Sequence, residues 1–526
     1  MGLLSFLIFW PALVGVIVLL WPSARAKQVG WVATVGAAIE LVASLRLWTA
    51  FVPGTGFQFQ EQHAWIPRFG VNYQLGVDGI STLLIILTAL LTVIGVVSSF
   101  SAITQGRRGY YASLLFLATG VIGAFSATDV FLFYVFWEAM LIPMYFLIGV
   151  WGGERRIYAT IKFVLYTMAG SLLMLVAILW TYHYSTVSGT GTFNLFDWYK
   201  LHVPSGVQVW LFAAFALAFA IKVPMFPFHT WLPDAHVQAP AAGSVMLAGV
   251  LLKLGTYGFY RFAVPLFPDG FAALGNVIWI LATIGIVYGA AMTLVQTDIK
   301  SLIAYSSVSH LGFVMLGLMA LNLIGVSGSL LQQINHGIST GALFLLVGMI
   351  YERRHTRQIV DYGGIFAVVP LFTIIFLIVA LSSIGLPGTN GFVGEFLILL
   401  GSFQAKPALA VISATAVVLA AGYMLWLVLR VFFGPVTKPE NERIRDVGVR
   451  EMAVLVPLIA LIVWIGVYPK PFLDRITPDL QSWLQQARPS QLLRRDASSD
   501  DRFVMRPAHE PVAGVRLPSH HPEGGR

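Results

Sequence analysis

The sequence predicts an all-α polytopic membrane protein, and three observations carry that reading. Hydrophobic residues fill 57% of the 526 positions and charged residues only 11%, about half the charge usual in soluble domains. The apolar residues gather in runs near the roughly 20 needed to cross a bilayer. These runs lack the alternation of barrel strands, and lipid leaves no other way to satisfy backbone polar groups than a helix.

About fourteen spans are expected. They lie near 3–21, 29–50, 80–100, 110–128, 130–150, 158–182, 207–222, 241–263, 271–293, 301–320, 326–351, 370–400, 409–433 and 453–468. The first is followed by Ala24-Arg25-Ala26, which matches a signal-cleavage pattern, but no basic region precedes it, so it reads as a retained first helix. Beyond Tyr468 the chain turns charged, Pro-rich and Ser-rich, and most of this polar C-terminal tail is expected to be disordered, with His509, His520 and His521 as a weak metal-binding possibility.

There is no cysteine, which excludes thiolate-held iron–sulfur clusters, catalytic thiols and disulfides. The net charge of +8 is a matter of topology rather than of nucleic-acid binding. Arg25 and Lys27, Arg107 and Arg108, Arg155 and Arg156, Lys300, Arg353, Arg354 and Arg357, and Lys438 to Arg450 fall in alternate loops. The positive-inside rule makes those loops cytoplasmic and both termini non-cytoplasmic. Arg68, Lys200, Arg261 and Lys406 are the few basic residues of the other loops.

An ionisable side chain inside a span costs at least ~2.5–3.5 kcal/mol and is a functional candidate by default. Glu138, Lys222, Lys253, His310, His336 and Glu395 each sit in a different span. If they converge, they form a polar line through the bundle. For Glu138 and Lys222 the plain alternative is a structural ion pair. For His310 in AYSSVSHLGF and His336 in LQQINHGIST, an interhelical hydrogen bond is as good a reading as proton transfer. Lys253 has no partner on its own helix, and a buried lysine is a better proton carrier than a brace. Glu40 reads as a packing or interface residue, and Asp129 and Asp234 as solvated helix ends.

Two spans carry their own interruption. In KVPMFPFHTWLPDAH, Pro224, Pro227 and Pro233 follow Lys222 at once; in SSIGLPGTNGFVGEFLIL, Pro387 and Gly388 precede Glu395. Both helices should break at membrane depth, which is tolerated only where backbone is buried in protein or lines a wet cavity. The breaks are five spans apart, so a repeating unit of five helices would return inverted, as in ion transporters. The expected organisation is an N-terminal three-span segment (1–109), two inverted repeats (110–263, spans four to eight, and 264–433, spans nine to thirteen), a loop and last span (434–468) and the tail (469–526).

At WEAMLIPMYFLIG, KVPMFPFHTWLPDAH, AGVLLKLGTYG, TDIKSLIAYSSVSHLG and GLPGTNGFVGEF the chain resembles the antiporter-like membrane subunits of respiratory complex I, the proton-translocating NADH:quinone oxidoreductase. The likeness covers essentially all the spans. Within that family, subunits L and N typically carry lysine at the twelfth-span position and subunit M glutamate, so Glu395 points to the M type. The absence of a long amphipathic helix after the core argues against the L type.

The resemblance implies a redox-driven proton pump subunit of a bacterial-type cell membrane. Flavin, iron–sulfur clusters and quinone would belong to partner subunits, with none on this chain, and the neighbours would be membrane lipid and the L and N subunits, with no nucleic acid. It further implies that Glu138 modulates Lys222, which passes a proton to Lys253, and that His310 and His336 relay it to Glu395, with His229 lining the input. The alternatives are a subunit of a multi-subunit Na+/H+ antiporter and, from another class, a quinone- or haem-binding subunit using His310 and His336.

Overall fold

A computed structural model describes residues 2–487; His509, His520 and His521 lie outside them. Among the described residues, thirteen helices are long and apolar enough to cross a membrane. The expected twelfth span is present as two half-helices, Pro370–Ile384 and Asn390–Ala405. The bundle is ordered by burial. In the eighth (Ala241–Leu266), tenth (Ile299–Met319) and eleventh (Leu323–Arg354) spans, 100%, 94% and 89% of the most apolar stretch is covered, against 33% in the thirteenth (Pro407–Phe432) and fourteenth (Val449–Val467). Those three inner spans carry Lys253, His310 and His336.

Local chemistry sets the helix ends. Asp78 starts the third span (Gly79–Ala102) with a capping box shared with Ser81, and Asp298 starts the tenth by accepting the N–H groups of Lys300 and Ser301. Asp129 is not a solvated end. It is fully buried, caps Val130–Ala139 and also accepts the Asn72 N–H, 2.9 Å away. Burial pushes its carboxyl up to about 6 despite these donors. Asp234 too has a partner: it pairs with Lys162 at 2.7 Å.

Both ends of the bundle differ from the sequence reading. Between the second and third spans, β1 (Gln58–Ile66) and β2 (Val71–Val77) form an antiparallel hairpin, a small exception to the all-α class. The sequence after Tyr468 does not begin as a disordered tail: Lys470–Gln486 is an amphipathic helix that buries Phe472, Ile476, Leu480 and Trp483. Arg261, expected in a loop, is buried and paired with Asp78 at 2.6 Å. Lys300 is buried as well and donates to the Ala239 carbonyl.

The basic loops meet at one end. Arg108 donates to the Trp21 carbonyl, Arg357 to that of Val237, and Arg353 to that of Arg445 and to Glu451. The hairpin, Asp129 and the Asp78–Arg261 pair belong to loops of the opposite end.

Candidate functional site

The seventh span breaks where its prolines predict. Helix Ser205–Lys222 ends, the chain turns through a cis Phe226–Pro227 peptide, and a short helix, Trp231–Gln238, resumes. Lys222 therefore occupies the last turn of the helix before the break, where exposed carbonyl dipoles favour a cation. Its Nζ is buried with no hydrogen-bond partner and lies 5.2 Å from the Trp137 ring centroid and 5.7 Å from that of Phe163. The structural ion pair with Glu138, the plain alternative to a functional role, does not form within 4.0 Å. Glu138 acts on Lys222 as a nearby charge, with Trp137 beside both. Its own span turns just beyond it, at Met140, because Pro143 leaves the Ala139 carbonyl without a helical donor.

The twelfth span breaks at Gly385, whose φ of +82° is open to glycine and strained for other residues. A side chain there would also approach Glu395 Oε2 at 3.0 Å. The second half-helix places Glu395 against the two inner spans. Its Oε1 lies 2.9 Å from His310 Nδ1 and accepts from Gln332 Nε2 at 3.1 Å.

Toward the centre, Lys253 Nζ lies 2.7 Å from His336 Nδ1 and donates to the Ala248 carbonyl. Lys253 sits between two π-helical stretches, Leu247–Leu251 and Phe259–Ala263. The His310 and His336 ring centroids are 5.9 Å apart. Both rings line a small polar cavity with Ser339, Ser382 and Ser383, holding ≈ 10 Å³ for a water-sized sphere, about one water. His336 Nε2 is buried without a protein partner, so a water in that cavity would be a natural one.

Lys253, His336, His310 and Glu395 are thus brought together, while Lys222 and Glu138 form a separate group. His229 stands beside the seventh-span break between Phe226 and Tyr288, at 5.8 and 5.1 Å, with Nδ1 unpartnered. Pro224, Pro387 and Gly388 lie in the two breaks. Sequence reasoning passed over His236, which is fully buried, stacks on Phe344 at 4.5 Å and has neither ring nitrogen bonded. Its spacing of seven from His229 was the available signal. Glu40 is fully buried with both carboxylate oxygens unpartnered. Among the described residues no group of three or more His, Asp or Glu side chains is placed to hold a metal ion.

A bundle with two helices broken at depth and buried ionisable groups on adjoining inner spans defines an antiporter-like membrane subunit. The family model described as NADH:quinone oxidoreductase/Mrp antiporter, TM, matches residues 127–420, more than half of the chain. NADH-quinone oxidoreductase subunit M of Rhodobacter capsulatus is 45% identical over 471 residues, covering 88% of this chain and 91% of that one. A chain of respiratory complex I from Thermus thermophilus superposes with a TM-score of 0.85 at 32% identity, over 92% of this chain and all of that one. A chain of the Mrp complex from Dietzia sp. DQ12-45-1b shares the fold, with a TM-score of 0.79 at 22% identity over 93% of this chain and 100% of that chain. The chain belongs to the family of M subunits of NADH-quinone oxidoreductase.

Proposed function

We propose that this chain is the proton-translocating M subunit of a respiratory NADH:quinone oxidoreductase and moves protons through Lys222, Lys253, His336, His310 and Glu395. The observation that carries the reading is the run from Lys253 Nζ to His336 at 2.7 Å, across a one-water cavity to His310, and on to Glu395 at 2.9 Å. A protonated Lys253 donates to neutral His336 Nδ1, and His336 can release a proton from Nε2 as it gains one on Nδ1. His310 then receives a proton on one nitrogen and hands the other to the Glu395 carboxylate. An imidazole with a group on each side suits such transfer, because its two nitrogens exchange roles.

Lys222 is the loading end. No hydrogen bond fixes its ammonium, so its charge answers to Glu138, which is partly exposed on this chain and available to a neighbouring subunit. The neighbours in this reading are the L and N subunits. The end bearing the basic loops is cytoplasmic, and both termini lie on the other side. Electron transfer from NADH through flavin and iron–sulfur clusters to quinone takes place on partner subunits. The two breaks five spans apart support inverted repeats over 110–263 and 264–433.

Lys253→Met in the assembled complex tests the reading, since methionine keeps most of the stem and removes the ammonium. Proton pumping and coupled NADH oxidation should both collapse while the complex still assembles. Wild-type pumping by that variant would rule the relay out.

A further inference from the structure

The eighth span is not a plain α-helix at its outer end. Across Phe259–Ala263 its bonding lengthens to the π pattern, with the Val264 N–H reaching back to the Phe259 carbonyl. A change of register of this kind leaves carbonyls without a helical donor inside a region where water is scarce. Pro265 moreover offers no N–H to the carbonyls four and five residues before it, and side chains from elsewhere bond both. The Tyr260 carbonyl accepts from Trp483 Nε1 at 2.5 Å, and the Arg261 carbonyl accepts from the Tyr199 hydroxyl at 2.9 Å.

Trp483 belongs to the amphipathic helix Lys470–Gln486, so the C-terminal segment reaches into the span that carries Lys253. The same helix is fixed a second time: Asp479 accepts the Gly79 N–H at 2.6 Å, at the start of the third span. Asp78, which caps that span, holds Arg261 at 2.6 Å. Trp483, Asp479, Asp78 and Arg261 are all buried, and together they close a ring through the C-terminal helix, the third span and the outer π turn. Arg261 lies eight residues after Lys253, so a shift of the π turn by one residue would rotate or translate the lysine against His336.

We propose that the C-terminal helix is a positioning element for Lys253, with Trp483 holding the outer π turn and so setting where the ammonium meets His336. The proposal rests on the reading that Lys253 carries protons. Trp483 touches no transferred proton; it acts through the backbone of the eighth span.

The test uses Trp483→Phe in the assembled complex, which keeps an aromatic ring against Tyr260 and removes the N–H donor. Amide hydrogen exchange over 259–266 should rise about three- to tenfold, the loss expected for one buried hydrogen bond, while the tenth span stays as protected as before. Protons pumped per NADH oxidised should fall, and the pH profile of pumping should move. Lys470→Ala, which breaks only the exposed pair with Asp474, should change none of these.

Unchanged exchange over 259–266 together with an unchanged pH profile would overturn the proposal. If the phenylalanine variant does not assemble, Asp479→Ala serves instead. It frees the helix at Gly79 and should raise exchange over 259–266, and no rise there would also sink the idea. Wild-type pumping by Lys253→Met strikes at the relay itself, whatever the exchange shows, so the two failures are distinguishable.

Discussion

His310 Nδ1 and Glu395 Oε1 stand 2.9 Å apart, joining the tenth span to the second half of the broken twelfth. Gly385, Pro387 and Gly388 end the first half-helix, and the second half-helix restarts at Asn390 in a position that aims Glu395 inward. Asn335 fixes that restart by donating to the Asn390 carbonyl at 2.7 Å.

From this pair comes the expectation for Glu395→Gln. Glutamine keeps the shape and can still bond Gln332 and His310, so assembly should be preserved. It cannot ionise, so proton release should slow and pumping should fall by about tenfold or more, equivalent to at least ~1.4 kcal/mol on the transfer barrier. Pumping measured in vesicles at the wild-type rate would remove Glu395 from the path.

His336 should be the residue least tolerant of losing its second nitrogen. In His336→Gln the side chain can still bond Lys253, yet it cannot take a proton on one atom while releasing another. The expected result is an assembled complex with pumping reduced by one to two orders of magnitude, within the range of about 10²–10⁴ typical of positioned proton-transfer groups. Vesicle pumping within twofold of wild type would mean that the proton passes from Lys253 to His310 by water alone.

Glu138 acts differently, because it makes no bond to Lys222. Glu138→Gln removes the charge felt by the ammonium and leaves the Trp137 packing in place. NADH turnover and pumping should drop together, since a lysine that cannot be switched blocks the coupled cycle. If both rates, assayed on the same membranes, are unaltered, Glu138 has no modulating role.

Much of this site was legible in the sequence because its parts violate what lipid demands. Lys222 before three prolines and Glu395 after a Pro-Gly break are costly in any span that is only a wall, so both the breaks and the charges could be read directly. What was not legible depended on which partner a group found. The nearness of His336 to Lys253 is a matter of helix rotation, and so is the bond that Glu138 and Lys222 do not make. Asp129 and Arg261 read as end and loop residues because hydropathy marks where spans stop, not what covers them. The hairpin was missed because QFQEQHAWI has too little apolar alternation to stand out as a strand. The C-terminal helix was hidden by Pro471, Pro478 and its charges, although Phe472, Ile476, Leu480 and Trp483 recur at helical spacing.

The C-terminal helix also makes its docking depend on pH. Burial, with Asp78 nearby, pushes the Asp479 carboxyl up to about 6, although the Gly79 N–H and the Arg261 guanidinium pull it down. An acid whose pKa is raised from 3.8 in the folded state contributes stability below the unfolded value, and that contribution is lost as pH climbs through about 6. Asparagine at this position can still accept the Gly79 N–H and never ionises. The melting temperature of the purified complex carrying Asp479→Asn should therefore exceed that of the wild type at pH 7, by a margin that shrinks toward pH 4.5. A margin that stays constant over that interval would show that Asp479 does not titrate between its two states and that docking of the helix does not depend on pH through this residue.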